Sequence, residues 1–194
     1  MKLKTRYLGL DLCSPTIVSS SGLTSTLQRI KDAEAAGAGA VVLKSIFEEQ
    51  ILNEAALVDS YSDYPEASDY VQSYVKENSL GLYLKLIEDV KQQCGIPVIA
   101  SINCRQAGDW VDYARVIETA GADALELNIF LLPTDKETSA EEIERNYLEI
   151  ITRVRNAIRI PLSVKLGAGF TNPLAIVREL YYRNVQGVVL FNRF

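Results

Sequence analysis

The sequence contains no histidine among its 194 residues. Imidazole is the general base of Ser-His-Asp and Cys-His enzymes and a common zinc ligand, so its absence excludes those sites within this chain. Any chemistry here must depend on lysine, asparagine, cysteine, carboxylate, hydroxyl or tyrosine side chains, or on a bound cofactor.

Cysteine and long apolar runs are also scarce. The cysteines are Cys13, Cys94 and Cys104, an odd number without metal-type spacing. This pattern argues against a disulfide framework and a thiolate metal site, and it favours a reducing compartment. No run has the length of a signal sequence or a membrane span, so we expect a cytoplasmic protein with no membrane partner.

Basic residues are outnumbered. The chain has 20 Lys and Arg against 25 Asp and Glu, a formal net charge of -5, which argues against nucleic acid as a partner. Hydrophobic residues make up 48% of the chain, as in ordinary globular proteins. We therefore expect residues 1–194 to form a single domain with a small-molecule ligand.

What the sequence does contain is a repeated unit, in which a short apolar run stops at one polar side chain. Such runs, separated by helical periodicity, predict buried parallel strands of an α/β fold. Ligands bind at the carboxyl ends of strands in these sheets, so the polar residues should share one mouth. They are Lys44, Asn103, Asn128, Lys165 and Asn192.

The pattern predicts six strands, at 16–20, 41–44, 97–103, 124–128, 161–166 and 187–192. It predicts helices that end near residues 36, 93, 119, 157 and 183.

Capping and turn signals define the helix starts. Thr24 or Ser25 should cap the first helix, and Ser139 with Glu142 forms a capping-box signature. The second helix should start near Leu80, after an elaborated, tyrosine-rich loop over residues 45–80. Its inward residues should be Leu82, Leu86, Ile87 and Val90.

The last four polar strand ends follow one another at intervals of about 25 to 37 residues, which suits successive units of a (β/α)8 barrel. A complete barrel takes roughly 250 residues. We therefore expect a TIM-barrel-type fold with about six of the eight units present.

The chemistry of the strand-end residues restricts the class of ligand that they could bind. A single Lys or Asn at such a position is usually a solvated charge or a helix cap. Five together are harder to explain in that way. Asparagine amides suit the edges of a planar heterocycle, and ammonium groups stabilise negative charge that develops on such a ring. The set predicts a flavin or pyrimidine site in which a cofactor supplies the chemistry.

Several short motifs resemble those of the dihydroorotate dehydrogenase family, flavoproteins with a (β/α)8 barrel. They are Ser20-Ser21-Gly22, Val41–Ser45, Asn78–Leu82, Ile102-Asn103, Glu126–Asn128, Val164–Leu166 and Asn192. The resemblance implies an FMN-dependent oxidoreductase of pyrimidine metabolism that moves a hydride from a dihydroorotate-like substrate to flavin.

The resemblance also implies roles for individual residues. FMN would contact Ser20, Ser21, Gly22, Lys44, Ser45, Asn103, Asn128 and Lys165. Substrate would contact Lys44, Asn78, Leu80, Gly81, Leu82, Asn128 and Asn192. Lys44 and Asn128 would be the catalytic contacts, and Lys165 would stabilise the reduced flavin. No metal is implied.

One departure from the family concerns the catalytic base. The family carries Cys or Ser three residues after the strand-end Asn, whereas this chain has Leu131, which cannot accept a proton. Thr134, Asp135 and Cys104 lie nearby in principle, but no motif supports any of them as a replacement. We therefore expect slow or absent oxidation of dihydroorotate.

The other departure is that the sequence stops at the sixth strand. In the family, strands seven and eight grip the FMN phosphate and close the barrel. Open edges at the first and last strands predict further residues in the native protein or pairing with another copy, such as a homodimer, together with weak FMN binding.

Two other functions stay open. One is a (β/α)8 lyase or isomerase that uses Lys44 or Lys165 for Schiff-base or electrostatic catalysis. The other is a non-catalytic remnant that binds flavin weakly or not at all.

Overall fold

A computed structural model describes residues 3–47, 68–103, 107–131 and 136–192. The tyrosine-rich segment 59–65 and the base candidates Cys104, Thr134 and Asp135 lie outside these residues.

The described residues form a small hairpin and one parallel sheet. The hairpin pairs β1 (Thr5–Tyr7) with β2 (Leu10–Leu12) in antiparallel fashion. The sheet contains β3 (Ile17–Val18), β4 (Ala40–Val42), β5 (Ile46–Phe47), β6 (Val98–Asn103), β7 (Ala124–Asn128), β8 (Leu162–Leu166) and β9 (Gly187–Leu190).

Strand order follows chain order, β3-β4-β6-β7-β8-β9, with β5 also paired to β6. The result is a curled parallel half-barrel with helices, which confirms the predicted α/β class and the six strands. The edges of the sheet are β3 and β9, and their predicted pairing with another copy stays a prediction.

The helices connect the strands, as expected for parallel pairing. They are α1 (Leu27–Ala35), α2 (Ser68–Gln93), α3 (Ala107–Thr119), α4 (Ala140–Ala157) and α5 (Pro173–Tyr182), with a 3₁₀ turn at Gly22–Thr24. In the described part of the chain, no helix combines the length and the apolar character needed to cross a membrane.

The N-terminal caps agree with the predictions in one helix and differ in another. The capping box of α4 is present, with reciprocal bonds between Ser139 and Glu142. The cap of α1 is Thr26, so the prediction of Thr24 or Ser25 is wrong. The Thr24 hydroxyl instead donates to the carbonyl of Ser21 (3.1 Å) inside the 3₁₀ turn.

The start of α2 was predicted wrongly. Residues 68–80 are helical, although they were assigned to the elaborated loop. The inward face also differs, since Leu82 is 64% exposed while Tyr83, Ile87 and Val90 are buried. Positions 83, 87 and 90 follow helical spacing, which leaves Leu82 on the flank.

The main core lies between the sheet and the helices, and we call it the outer core. Leu125, Leu127, Val164 and Leu166 point into it from the strands. Ile151 in α4 is fully buried against them. Because side chains alternate along a strand, the intervening residues face the other way, toward the inside of the curled sheet.

A smaller apolar cluster, the inner cluster, fills the amino end of that inside face. It joins Leu8 and Leu12 of the hairpin to residues of three strands, namely Ala40, Val42, Ile99 and Ala124. The sequence analysis did not predict this hairpin. Its turn residues Leu8 and Gly9 have positive φ values of 53° and 80°. Leucine is not a turn signal at such a position, and its burial holds it there.

Candidate functional site

The site begins with a β-bulge between β4 and β5. Val42 pairs with Ile99, but Ile46 pairs with Ile102, so three residues stand opposite two. Tyr83 of α2 fills the gap in the ladder. Its hydroxyl accepts the N–H of Ser101 (2.8 Å) and donates to the Ser101 carbonyl (3.1 Å).

The bulge directs the side chain of Ser45 to the inside face. Leu43, two residues before Ser45, and Ile46, directly after it, both belong to the outer core. Ser45 is 5% exposed, and its hydroxyl lies 3.0 Å from that of Ser20 and 2.7 Å from that of Ser101. The sequence motif at 41–45 therefore corresponds to a structural device that turns one serine inward.

The line of hydroxyl groups continues to a buried carboxyl group. Ser101 donates to Oε1 of Glu126 at 3.3 Å, and the two residues are partners in the β6–β7 register. Ser101 is fully buried and Glu126 is 3% exposed. Four side chains, from Ser20 through Ser45 and Ser101 to Glu126, thus form one continuous hydrogen-bonded line.

The surroundings of Glu126 act on the pKa of its carboxyl group in opposite directions. Burial raises the pKa of Glu126, while Lys165 and the Ser101 hydrogen bond act in the opposite direction. Tyr7 and Tyr83 lie close enough to this carboxyl for its charge to affect them. Burial raises the pKa of both tyrosines, and the charge of Glu126 adds to the effect.

Glu126 belongs to the motif at 126–128 but is not among the site residues predicted from the sequence. The available signal was alternation. Glu126 lies two residues before Asn128 on β7, so both residues face the inside of the sheet. Outward-facing Leu125 and Leu127 flank Glu126 in the outer core.

Three of the predicted strand-end residues come together at the carboxyl edge. Asn128 and Lys165 are register partners on β7 and β8. Asn192 donates from Nδ2 to Oδ1 of Asn128 at 2.7 Å, and its backbone N–H donates to the carbonyl of Leu166 at 2.7 Å. Asn128 is only 5% exposed.

The remaining predicted flavin contacts lie along the same edge. Asn103 ends β6 and pairs with Phe47, while Lys44 is exposed and donates its backbone N–H to the carbonyl of Thr24 (3.3 Å). Ser21 caps the 3₁₀ turn. Among the described residues, a Cβ added at Gly22 would meet only the guanidinium of Arg29, at 3.7 Å, so the backbone there is open to a ligand.

The predicted substrate loop is not a loop. Asn78, Leu80, Gly81 and Leu82 lie within α2. Asn78, Gly81 and Leu82 are exposed, and Leu80 packs against the outer core. Their predicted contacts with substrate stay a prediction.

The side chain of Leu131 packs against the outer core. Its backbone N–H donates to the Tyr147 hydroxyl (3.1 Å), which itself donates to the carbonyl of Ile129 (3.2 Å). Burial raises the pKa of Tyr147. The segment after β7 is therefore held by a tyrosine of α4.

Metal ligands are not grouped in the part of the chain described above, where no three His, Cys, Asp or Glu residues lie close enough to hold an ion.

Comparisons with known proteins support the resemblance carried by the motifs. No family model matches the chain. Curated relatives include the catalytic subunit of dihydroorotate dehydrogenase B (NAD(+)) from Methanocaldococcus jannaschii, 27% identical over 202 residues and 98% of this chain. The corresponding subunit from Methanocella arvoryzae is 29% identical over 195 residues and 99% of the chain. The predicted resemblance to this family is thereby confirmed.

The chain spans only part of those relatives, covering 62% of the length of each.

Solved structures share the fold at lower sequence identity. A prophage protein of the dihydrodipicolinic acid synthase family from E. coli K12, solved with pyruvate, has a TM-score of 0.57 and 16% identity, over 89% of this chain and 53% of its own. A phosphonopyruvate hydrolase has a TM-score of 0.55 and 16% identity, over 92% of this chain and 58% of its own. At this identity the likeness concerns the fold alone.

Proposed function

We propose that this chain forms the flavin and substrate site of an FMN-dependent oxidoreductase on a partial TIM barrel, which oxidises a small dihydroorotate-like molecule. The observation that carries the proposal is the cluster of Asn128, Lys165 and Asn192 at one carboxyl edge, in a chain similar to dihydroorotate dehydrogenase subunits. The proposal includes the small-molecule partner and the homodimer.

The residues at this edge fit an isoalloxazine ring in their chemistry. Asn103 and Asn128 provide amide donors and acceptors, and Lys44 and Lys165 provide cations. The open backbone at Gly22 allows a flat ring to approach closely. Bound FMN would supply two-electron redox chemistry, which the side chains of this chain cannot provide.

The residues of this chain would bind and orient the substrate and stabilise the charge that develops on it. The Asn192–Asn128 hydrogen bond fixes the Asn128 amide, so that its remaining groups point to substrate in one orientation. The ammonium group of Lys165 would stabilise negative charge as it develops at the mouth. Lys44 would contact both substrate and ring.

Residue 131 supplies no base for this reaction. We therefore expect dihydroorotate to reduce the bound flavin slowly, since loss of a general base typically costs about 10²–10⁴-fold in rate.

A flavin titration tests the proposal. Binding of FMN to the purified protein should shift the visible flavin bands and quench flavin fluorescence. Lys165→Ala and Asn128→Ala should weaken binding by about 10-fold or more, since hydrogen bonds to charged groups contribute roughly 1.5–3 kcal/mol.

Lys91→Ala is the matched control, because Lys91 pairs with Asp123 (2.7 Å) at the opposite end of the sheet. Equal FMN affinity in the Lys165→Ala and Lys91→Ala variants would contradict the site. Trapping of pyruvate on Lys44 or Lys165 by borohydride, without flavin binding, would favour a Schiff-base enzyme instead.

A further inference from the structure

The line of hydroxyl groups between the mouth and Glu126 has a defined direction. Each serine hydroxyl can donate one proton. Ser101 uses its proton on Glu126, so Ser45 must donate to Ser101, and Ser20 must donate to Ser45. Ser20 Oγ also accepts the backbone N–H of Ser45 (2.9 Å), which helps to fix its orientation.

All three protons therefore point from the mouth toward the buried carboxylate. Ser20 is half-buried at the outer end and keeps a second lone pair for an incoming proton. A buried carboxylate at the inner end, with Lys165 as its cationic neighbour, is a proton acceptor without direct access to solvent.

We propose that Ser20, Ser45 and Ser101 form a proton relay that carries the proton released by substrate oxidation to Glu126. This inference rests on the proposed function, and it assigns the proton acceptor that residue 131 does not supply. Ser20, at the half-buried outer end of the line, is the member that would accept the proton, and Glu126 acts through the three serines.

A C–H bond of the substrate breaks, and its proton bonds to Ser20 Oγ. The Ser20 proton moves to Ser45, the Ser45 proton to Ser101, and the Ser101 proton to Oε1 of Glu126. The electron pair left on the substrate would become its new double bond, and bound FMN would be the two-electron oxidant that takes the hydride from the neighbouring carbon.

Because the acceptor must start ionised, flavin reduction should accelerate as pH rises through the pKa of Glu126 and then level off. Among the described residues, the titratable groups that interact with Glu126 through charge are Tyr7, Tyr83 and Lys165. The raised tyrosine pKa values keep both phenols neutral in that range, so one ionisation should dominate the profile.

The experiment uses FMN-loaded protein and dihydroorotate in anaerobic single turnovers, followed by flavin bleaching and by infrared difference spectroscopy. In the wild type, slow bleaching should be accompanied by a new carbonyl band of a protonated carboxyl group. Glu126→Gln should remove this band, lower the rate by about 10²-fold or more and flatten the pH profile.

Substitutions at the middle of the relay separate proton transfer from a structural role of Glu126. Ser45→Ala interrupts the line but leaves the Ser101–Glu126 hydrogen bond. It should therefore also remove the carboxyl band and lower the rate of flavin bleaching. Ser45→Thr keeps a hydroxyl and should restore both. Ser163→Ala is the control, because Ser163 is buried on the same face and donates to the Leu125 carbonyl (3.4 Å), outside the relay.

The outcomes are distinguishable. Normal bleaching in Glu126→Gln or Ser45→Ala, or a wild type that bleaches without a carboxyl band, would overturn the relay and leave the proposed function intact. Failure of the wild type to bind FMN would overturn both. A wild type that binds FMN but does not bleach would overturn the relay and leave the flavin site intact. If Glu126→Gln does not fold, the Ser45 pair still decides the question.

Discussion

The two faces of the curled sheet differ sharply in composition. The outer core, between strands and helices, is built from aliphatic and aromatic side chains such as Leu125, Leu127 and Ile151. The inside face has a small apolar cluster at its amino end, and beyond it the buried polar residues Ser45, Ser101, Glu126, Asn128 and Ser163.

Because of this difference, the outer face mainly stabilises the fold, whereas the inside face carries the groups that could take part in chemistry. The outer face buries apolar area, which is the main favourable contribution to folding. The inside face places hydroxyl, amide, carboxyl and ammonium groups beside one another, and each buried polar group there needs a partner. Substitutions on the two faces should therefore have different consequences.

The largest effect is expected from an outer-core cavity. Leu127 is fully buried, so Leu127→Ala should lower the free energy of unfolding by about 2–5 kcal/mol. Denaturant unfolding measures the loss, and Leu174→Ala, at a site that is 79% exposed, is the control. FMN affinity of the folded variant should not change. A loss below that of the control would remove the distinction between the faces.

A smaller loss of stability is expected at the bulge, where the two faces of the sheet meet. Tyr83→Phe leaves the backbone N–H and carbonyl of Ser101 without their partner at the bulge. An unsatisfied buried group costs about 1–3 kcal/mol, so the variant should be destabilised by that order, as measured by denaturant unfolding.

The control for this prediction is Tyr181→Phe, at a tyrosine that is 75% exposed. Equal stability of the two variants would show that the Tyr83 hydroxyl does not complete the ladder.

The inside face should also give stability a distinctive pH dependence. The pKa of Glu126 is raised in the folded protein, so the folded state holds its proton at pH values where the unfolded chain has lost it. The resulting stability is fully present below the ordinary carboxyl pKa and is lost as pH rises through the raised one. Each unit of pKa difference corresponds to about 1.4 kcal/mol.

Glu126→Gln should remove this component, so that stability changes less with pH than in the wild type. Unfolding curves at several pH values measure it. Glu141→Gln, on the exposed first turn of α4, should keep the wild-type slope. A wild-type slope in Glu126→Gln would place the titration elsewhere.

The smallest effect is expected at a helix cap remote from the inside face. Ser139→Ala should cost about 0.5–2 kcal/mol of stability. The pKa of Glu142 is held below its ordinary value first by the backbone N–H of Ser139 and then by its hydroxyl, so loss of the hydroxyl should raise this pKa only part of the way. NMR titration of Glu142 checks the second point. Any change in FMN affinity would contradict the separation of the two faces.

Individual strands and helices show how much of the fold could be predicted from the sequence. The strand at 124–128 and the Ser139 cap were predicted correctly, because a short apolar run and a capping box are local signals. Helix α2 was not, since the turn residues and tyrosines of segment 59–65 favoured a loop that was extended over the helical spacing of Tyr70, Val71, Tyr74 and Val75. The hairpin was missed because Leu8 adopts a turn conformation that only its burial explains.

For the site, the sequence by itself determined that Asn128, Lys165 and Asn192 follow strands, and parallel topology then requires that they share an edge. It also determined, through the missing histidines and through Leu131, which bases are absent. Only the tertiary structure decided that a bulge turns Ser45 inward and that Ser20, Ser101 and Glu126 join it in one line. The reason is physical: periodicity along the chain sets which face a residue occupies, whereas hydrogen bonds between strands depend on register, and register is set by packing across the whole sheet.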